Sequence, residues 1–164
     1  MDENELLPVK NSNDLIFSEI RRRLDDLEES AKNIDTKGVL TLSFIGAIIA
    51  GLVNSSWFLD LNFKYHLLIL FSLTSTALLA FGAIIVRQYR RDPDPTNLIK
   101  NYSNKPEIIT KNQLISNFEQ SYTNNEQVIK DKAKFLKAAF ISLSITIVIL
   151  AASIIFSIHT VLIT

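Results

Sequence analysis

Three stretches without charged residues constrain this chain of 164 residues more than any other feature of its sequence. They cover positions 38–59, 67–86 and 138–162, and none contains Asp, Glu, Lys or Arg. Each reaches the length of about 20 apolar residues that a helix needs to cross the hydrocarbon layer of a membrane. A single stretch could be a buried core helix, but so short a chain has too little other protein to enclose three. The sequence therefore predicts an all-α membrane protein with three transmembrane helices.

The distribution of Lys and Arg predicts the orientation of these spans. The arm before the first span and the long segment between the second and third are rich in both, whereas the connection at 60–66 has only Lys64. Because basic loops stay on the cytosolic side of a membrane, we expect the N-terminus and the long segment to be cytosolic. The basic residues that carry this prediction include Arg21, Arg22, Arg23, Lys32, Lys37, Arg87, Arg90, Arg91, Lys134 and Lys137.

Heptad spacing of apolar residues predicts long helical extensions on the cytosolic side. Two of the core-facing positions before the third span, Asn125 and Lys132, are polar and weaken helix packing unless each finds a partner. The heptad positions before the first span are Phe17, Ile20, Leu24, Leu27, Ala31 and Ile34, and those before the third are Ile115, Phe118, Tyr122, Asn125, Ile129, Lys132 and Leu136.

These patterns divide the chain into eight segments. We expect three transmembrane helices with long cytosolic helical extensions, assembled as an oligomeric helical bundle. The segments are a disordered N-terminus at 1–13, a cytosolic amphipathic helix at 14–37, transmembrane helix 1 at 38–59, a short external loop at 60–66, transmembrane helix 2 at 67–86, a cytosolic linker at 87–109, a second cytosolic amphipathic helix at 110–137, and transmembrane helix 3 at 138–162.

A polar cluster is expected at the cytosolic mouth of the bundle. Asp35 lies about one turn before the first span and Lys132 shortly before the third, so both fall near the same membrane surface. We predict that Asp35, Lys37, Asn125 and Lys132 form a ligand-binding or switch cluster. Arg22, in the basic run of the arm, is a further candidate for binding a phosphate. The alternative interpretation is a surface ion pair with lysines that extend their charges to the interface.

Small residues repeat every four positions in the first span, at Ser43, Ala47, Gly51 and Ser55. They share one helix face, and small residues let helices approach closely in lipid. The stripe predicts a helix–helix contact, either within one chain, the interpretation we favour, or between copies. Ser72, Thr76 and Ala80 make a similar stripe in the second span. Hydroxyls there could line a polar pathway, although helical Ser and Thr usually bond to backbone carbonyls.

The sequence lacks the residues that most enzymes and nucleic-acid-binding proteins need. It has no cysteine, two histidines and a formal net charge of zero, so we expect no metal site, no catalytic residue and no nucleic-acid partner. All four glycines lie in or beside the spans, so no glycine-rich loop is present to hold phosphate groups. We therefore predict a protein that is not an enzyme and carries no cofactor.

The run NIDTKGVLTLSFIGAIIAGL before and within the first span, and NNEQVIKDKAKFLKAAF before the third, resemble the transmembrane effectors of bacterial pyrimidine cyclase (Pycsar) antiphage systems. The wider group of SLATT-type membrane effectors is similar too. The residues that carry this resemblance are Asp35, Lys37, Asn125 and Lys132, together with the spacing of the spans.

The resemblance implies an antiphage defence effector in the bacterial inner membrane. A uridylate or cytidylate cyclase would make cyclic CMP or cyclic UMP on infection, and the effector, as a homo-oligomer in the lipid bilayer, would disrupt the membrane and kill the cell. Two alternatives stay open: a holin-like or toxin-like pore former that needs no ligand, and a structural subunit of a membrane complex. A nucleotide cyclase gene beside this one would favour the antiphage effector over both alternatives.

Overall fold

The computed structural model describes residues 12–59, 61, 63–85 and 95–163. Every regular element in these ranges is a helix, so the all-α prediction is confirmed. Most of the segment predicted to be a disordered N-terminus, and the basic residues Arg87, Arg90 and Arg91, lie outside the described residues. The helices are α1 (Ser12–Val53), α2 (Ser56–Leu59), α3 (Phe63–Ile84), α4 (Pro95–Tyr102) and α5 (Glu107–Ile163).

Helix α1 runs without a break from the charged arm into the first uncharged stretch. It ends at Val53, whereas the sequence predicted a span to position 59. The reason lies in two polar residues after its last turn: the Asn54 side-chain amide donates to the Ala50 carbonyl at 2.8 Å, and the Ser55 hydroxyl donates to the Leu52 carbonyl at 2.7 Å. Such bonds satisfy carbonyls that a helix end leaves without partners. Residues Ser56–Leu59 form the separate helix α2.

Helix α5 joins the second predicted cytosolic helix to the third span in one element of 57 residues. At about 1.5 Å per residue it is far longer than the roughly 30 Å of a hydrocarbon layer, so a large part of it must extend outside the membrane. It begins at Glu107, directly after Pro106. The predicted linker at 87–109 is not wholly irregular, because Pro95–Tyr102 forms α4, and proline suits the first position of a helix.

The chain divides into two compact units, of which the first comprises Met1–Ser30 and Arg87–Ile129. Within it, the Phe17 and Phe118 rings pack with their centroids 5.5 Å apart, and Lys111 forms an ion pair with Asp14. Both phenylalanines occupy predicted heptad positions. This unit is thus held by pairs between the N-terminal part of α1 and the N-terminal part of α5.

The second unit comprises Ala31–Val86 and Lys130–Thr164 and contains the three uncharged stretches. Its buried residues recur at intervals of three, four or seven on each long helix, which is the spacing of helices that pack side by side. They include Thr41, Ile45 and Leu52 on α1, Ile69, Leu73, Thr76, Ala80 and Ala83 on α3, and Lys132, Leu136, Ala139, Thr146 and Ser153 on α5.

Most of the apolar surface of the long helices is exposed. Helices α1, α3 and α5 are long and apolar enough to cross a membrane, yet only 22%, 28% and 17% of their most apolar windows is buried within the chain. Large side chains such as Phe71, Leu78, Val148 and Ile155 are more than half exposed. Lipid or other apolar protein must cover this surface, as the prediction of three transmembrane helices requires.

Gly38 on α1 lies against α3 in the second unit. A Cβ atom at this position would lie 2.7 Å from Cγ1 of Ile84, so the Ile84 side chain would have to move, and 3.5 Å from the Ala80 carbonyl oxygen, an ordinary contact distance. A side chain larger than a methyl group at position 38 needs more room between the two helices. We expect Gly38→Val to force the helices apart and to cost about 1–3 kcal/mol of stability, measured as a lower melting temperature of the detergent-solubilised protein.

Gly46 provides the matched control, since it lies on the same helix and a Cβ atom there meets nothing within 4 Å. Gly46→Val makes the same exchange within the same helix, so its effect on helix propensity is the same. We expect it to leave the melting temperature close to that of the original chain. Equal effects of the two substitutions would contradict the close packing of α1 against α3.

Candidate functional site

The second unit contains an ion pair between Asp35 on α1 and Lys132 on α5. The Lys132 ammonium donates to Oδ1 of Asp35 at 2.6 Å. The Lys132 side chain is 1% exposed, whereas that of Asp35 is 40% exposed. The two residues are 97 positions apart in the sequence. The structure therefore joins two of the residues that the sequence analysis assigned to one cluster.

The residues one turn beyond each member of the pair are also buried. Gly38, one turn beyond Asp35 on α1, is buried against α3, and Leu136, one turn beyond Lys132 on α5, is 6% exposed. Thr41 is also buried, and its hydroxyl donates to the Lys37 carbonyl at 2.8 Å. Lys132 thus lies where the packed apolar part of the second unit begins.

A buried ammonium group is costly in energy unless a counter-ion and hydrogen bonds compensate for its lost hydration. Asp35 supplies the negative charge here, at a distance typical of a charge-assisted hydrogen bond. Because Asp35 is partly exposed, its carboxylate can rehydrate if the pair separates, but Lys132 can rehydrate only if the packing around it opens. The pair therefore links the ionic state of Lys132 to the closure of the second unit.

The other predicted members of the cluster are placed differently. Lys37 lies in the second unit with an exposed side chain, while Asn125 and Arg22 belong to the first unit. Asn125 is 8% exposed. Arg22 lies on the outer face of α1, where its guanidinium bonds to Glu19 at 2.9 Å and Asp26 at 3.2 Å. A role for these residues in binding a ligand stays a prediction.

The basic run of the arm is neutralised by acidic residues on the same helix. Hydrogen bonds from Arg22 and then Arg23 lower the pKa of Glu19 from 4.5 to about 2, and the same bonds raise the pKa of both arginines. Both guanidinium groups are thus already engaged with a carboxylate. A phosphate that approached Arg22 would have to displace Glu19 and Asp26, so the outer face of α1 is a weak candidate for anion binding.

A groove of about 470 Å³ in the first unit is the other candidate site. Its lining is largely apolar and includes two glutamates and one arginine. Arg23 is already paired with Glu19, and Glu119 adds a negative charge, so the groove does not suit an anionic nucleotide. Its lining residues are Leu15, Ile16, Glu19, Ile20, Arg23, Glu119 and Tyr122.

The stripe of small residues in the first span does not pack within the chain. Ser43, Ala47 and Gly51 are exposed, and a Cβ atom at Gly51 would meet nothing within 4 Å. The buried face of α1 is formed instead by Thr41, Ile45 and Leu52. The interpretation that we favoured, a contact within one chain, is therefore wrong for these three residues, because larger apolar side chains on the adjacent face fill the core. A contact between copies stays a prediction.

No group of three or more His, Asp or Glu residues in the described part of the chain could hold a metal ion. What the arrangement offers chemically is a buried cation that a competing anion can reach only when the helices part.

Comparison with known proteins gives one match. A family model, PycTM, described as the Pycsar effector protein domain, matches residues 19–159. The match includes all of α3, both members of the Asp35–Lys132 pair and most of α1 and α5. It does not bear on SLATT-type effectors, so that relation stays a prediction. Neither the curated proteins nor the solved structures contain a match to this chain.

Proposed function

The chain belongs to the Pycsar effector family, and from this premise we propose that it is an antiphage effector of the bacterial inner membrane that a cyclic pyrimidine nucleotide activates. Cyclic CMP or cyclic UMP, made in the cytosol by a cognate uridylate or cytidylate cyclase, is the activating ligand. The active effector disrupts the membrane, and the infected cell dies before phage is released. The N-terminus and the segment between α3 and α5 face the cytosol, where the nucleotide is made.

The observation that carries the mechanism is the burial of Lys132 against Asp35. The nucleotide's phosphate is an anion that can replace Asp35 as the partner of the Lys132 ammonium. Since Lys132 is 1% exposed, a soluble ligand can reach it only after α1 and α5 part at this level. The phosphate therefore binds the parted state far more tightly than the closed one.

A difference in affinity of this kind is what a ligand needs in order to shift a conformational equilibrium. In the absence of nucleotide, Asp35 satisfies Lys132 and the closed state is favoured. When the nucleotide is present, its phosphate satisfies Lys132 in the parted state, and Asp35, already partly exposed, is hydrated. Binding and opening are thus one coupled event.

The exposed apolar faces of the long helices favour action as a homo-oligomer. The face of α1 that carries Ser43, Ala47 and Gly51 is exposed and meets no packing partner among the residues that the structure describes. In lipid, such a face allows two copies of α1 to approach closely. We propose that copies of the effector meet on this face and act together in the bilayer.

Uptake of a membrane-impermeant DNA dye by bacterial cells tests the proposed function. The chain is produced together with an active pyrimidine cyclase, and in parallel with a catalytically inactive version of the same cyclase. We expect dye uptake and loss of viable cells only with the active enzyme. Equal uptake with both versions would overturn the proposal in favour of a ligand-independent pore former, and no uptake with either would favour a structural subunit.

A further inference from the structure

Four hydroxyl groups meet between α3 and α5 in the interior of the second unit. Ser72 and Thr146 have their side-chain oxygens 2.6 Å apart, and those of Thr76 and Ser142 are 2.7 Å apart. The two threonine oxygens are 3.5 Å from each other. We call these four residues the hydroxyl seam. Thr76 and Thr146 are fully buried.

The direction of the hydrogen bonds in the seam follows from the backbone contacts. Thr76 donates its proton to the Ser72 carbonyl, and Thr146 donates its proton to the Ser142 carbonyl, each at 2.9 Å. Since each threonine has only one proton to donate, the serines must donate across the interface. Ser72 donates to Thr146 and Ser142 donates to Thr76, so each helix gives one bond to the other and receives one in return.

The seam lies within the uncharged stretches that we assign to the membrane. Its members fall at 72 and 76 in the second span and at 142 and 146 in the third. In hydrocarbon, separating two polar surfaces is costly unless water follows them. If water does follow, each hydroxyl exchanges a protein partner for a water molecule. Hydroxyl bonds between membrane helices contribute little to stability, so such an exchange changes the free energy little.

The other buried hydroxyls that the structure describes in the spans, those of Thr41 and Ser153, donate to carbonyls of their own helices, and most of the remaining interior is apolar. The core of the second unit is formed by Ile45, Leu52, Phe58, Ile69 and Leu73, and separating it would expose hydrocarbon side chains to water. Among the described residues, the seam is therefore the interface between helices that water can enter at the smallest cost in free energy. Such a surface is suited to be closed in the resting protein and hydrated in the active one.

We propose that the hydroxyl seam opens on activation and that its four hydroxyls line the path by which water and small hydrated solutes cross the membrane. This inference rests on the proposed function, because it identifies where the disruption takes place. Lys132 and Thr146 are both on the buried face of α5, two heptads apart. A movement of α5 away from α1 at Lys132 therefore moves the same face of the helix that forms the seam with α3.

A disulfide across the seam tests this inference without interference from other thiols, because the natural sequence has no cysteine. Ser72→Cys and Thr146→Cys are combined, and the purified protein is oxidised in liposomes loaded with a small fluorescent dye. We expect the disulfide to reduce dye release triggered by cyclic CMP or cyclic UMP at least tenfold, and a reductant to restore it. Each single-cysteine variant is the control for oxidation, and we expect its triggered release to be the same in the oxidised and reduced samples.

Substitution of the threonines gives a second, independent test. Thr76→Val with Thr146→Val keeps the shape of the seam but replaces its hydroxyls with methyl groups, which resist wetting. We expect triggered dye release to fall at least tenfold while the melting temperature changes little, because Ser72 and Ser142 can turn to carbonyls of their own helices. The matched control is Thr74→Val with Ser144→Ala, which removes hydroxyls from exposed positions of the same two helices. We expect the control to release dye like the original chain.

The outcomes separate this inference from the proposed function. If the unsubstituted protein releases no dye with either nucleotide, the proposed function fails. If it does release dye, the seam inference is overturned by either of two results: undiminished release from protein shown to carry the disulfide, or undiminished release from the double valine variant. Failure of the two cysteines to form a disulfide under strong oxidation would contradict the contact itself.

Discussion

Asp35→Asn is expected to make membranes that contain this effector leak without any nucleotide, at a rate about tenfold or more above that of the unsubstituted protein. The substitution keeps the size of the side chain but removes the carboxylate that Lys132 contacts at 2.6 Å. Removing one partner from a fully buried ion pair costs about 3–5 kcal/mol. Because Asp35 is 40% exposed, we expect a smaller cost to the closed state, about 1–3 kcal/mol.

That cost applies mainly to the closed state. In the parted state Lys132 is hydrated and does not need Asp35, so the equilibrium shifts toward opening. A change of about 1.4 kcal/mol corresponds to a factor of ten in an equilibrium constant, which gives the expected increase in leakage. Dye release from liposomes without nucleotide measures it, and toxicity of the variant in cells that lack the cyclase provides a second readout.

Asp25→Asn is the control for this prediction. It removes the same charge from an exposed position of the same helix, and we expect it to leave the resting membrane tight. Leakage from Asp35→Asn that is no greater than leakage from Asp25→Asn would mean that the ion pair does not hold the bundle closed.

Lys132→Met is expected to have the opposite effect and to weaken the response to nucleotide at least tenfold. Methionine fills a similar volume, and the carboxylate that loses its partner, that of Asp35, is 40% exposed and can be hydrated. We therefore expect the variant to fold and to keep the membrane tight. The phosphate loses a charge-assisted hydrogen bond that contributes about 1.5–3 kcal/mol. At least tenfold more nucleotide would then be needed for the same leakage.

Lys134→Met serves as the control, since Lys134 is 75% exposed and pairs with Asp131. We expect a normal response to nucleotide from this variant.

Combining Asp35→Asn with Lys132→Met adds a further check, because without the buried charge the loss of Asp35 no longer penalises the closed state. The double variant should keep the membrane tight and should need at least tenfold more nucleotide than the original chain. A normal nucleotide response from Lys132→Met would rule out Lys132 as the residue through which the ligand acts.

Much of the fold could be predicted because periodicity and charge determine it. The heptad positions before the third span identified Asn125 and Lys132 as core-facing polar residues, and both are buried. The end of α1 at Val53 could not be predicted from apolar length alone. It depends on side-chain bonds from Asn54 and Ser55, and the apolar residues after them form α2 instead.

The contacts within the site were harder to predict because they depend on the register between distant helices. Asp35 and Lys132 could be placed near one membrane surface, but the burial of Lys132 to 1% exposure depends on how α1 and α5 pack against each other. Likewise, Ser72 and Thr146 are 74 positions apart. A signal was present, since Ser and Thr recur at a four-residue spacing in both spans. The spacing shows that these Ser and Thr residues share one face of each helix, but it does not show which other helix that face contacts.

Helix α1 illustrates the opposite case, in which a local pattern suggested the wrong face. Ser43, Ala47 and Gly51 form a regular stripe, and small residues favour close packing. In the structure these positions are exposed, and Ile45 and Leu52 form the packed face. Within one chain, the burial of larger side chains determines the face. The small residues of the stripe therefore lie on a surface that this chain alone does not cover.

Dye release from liposomes that contain only the purified, unsubstituted protein tests the central claim most directly, namely that a cyclic pyrimidine nucleotide itself opens the bundle. Cyclic CMP, cyclic UMP and, as a control, cyclic AMP are added to separate samples. The account predicts rapid release with at least one of the pyrimidine nucleotides, and little release with cyclic AMP or without nucleotide. Release that is the same with and without nucleotide, or absent in every sample, would contradict it.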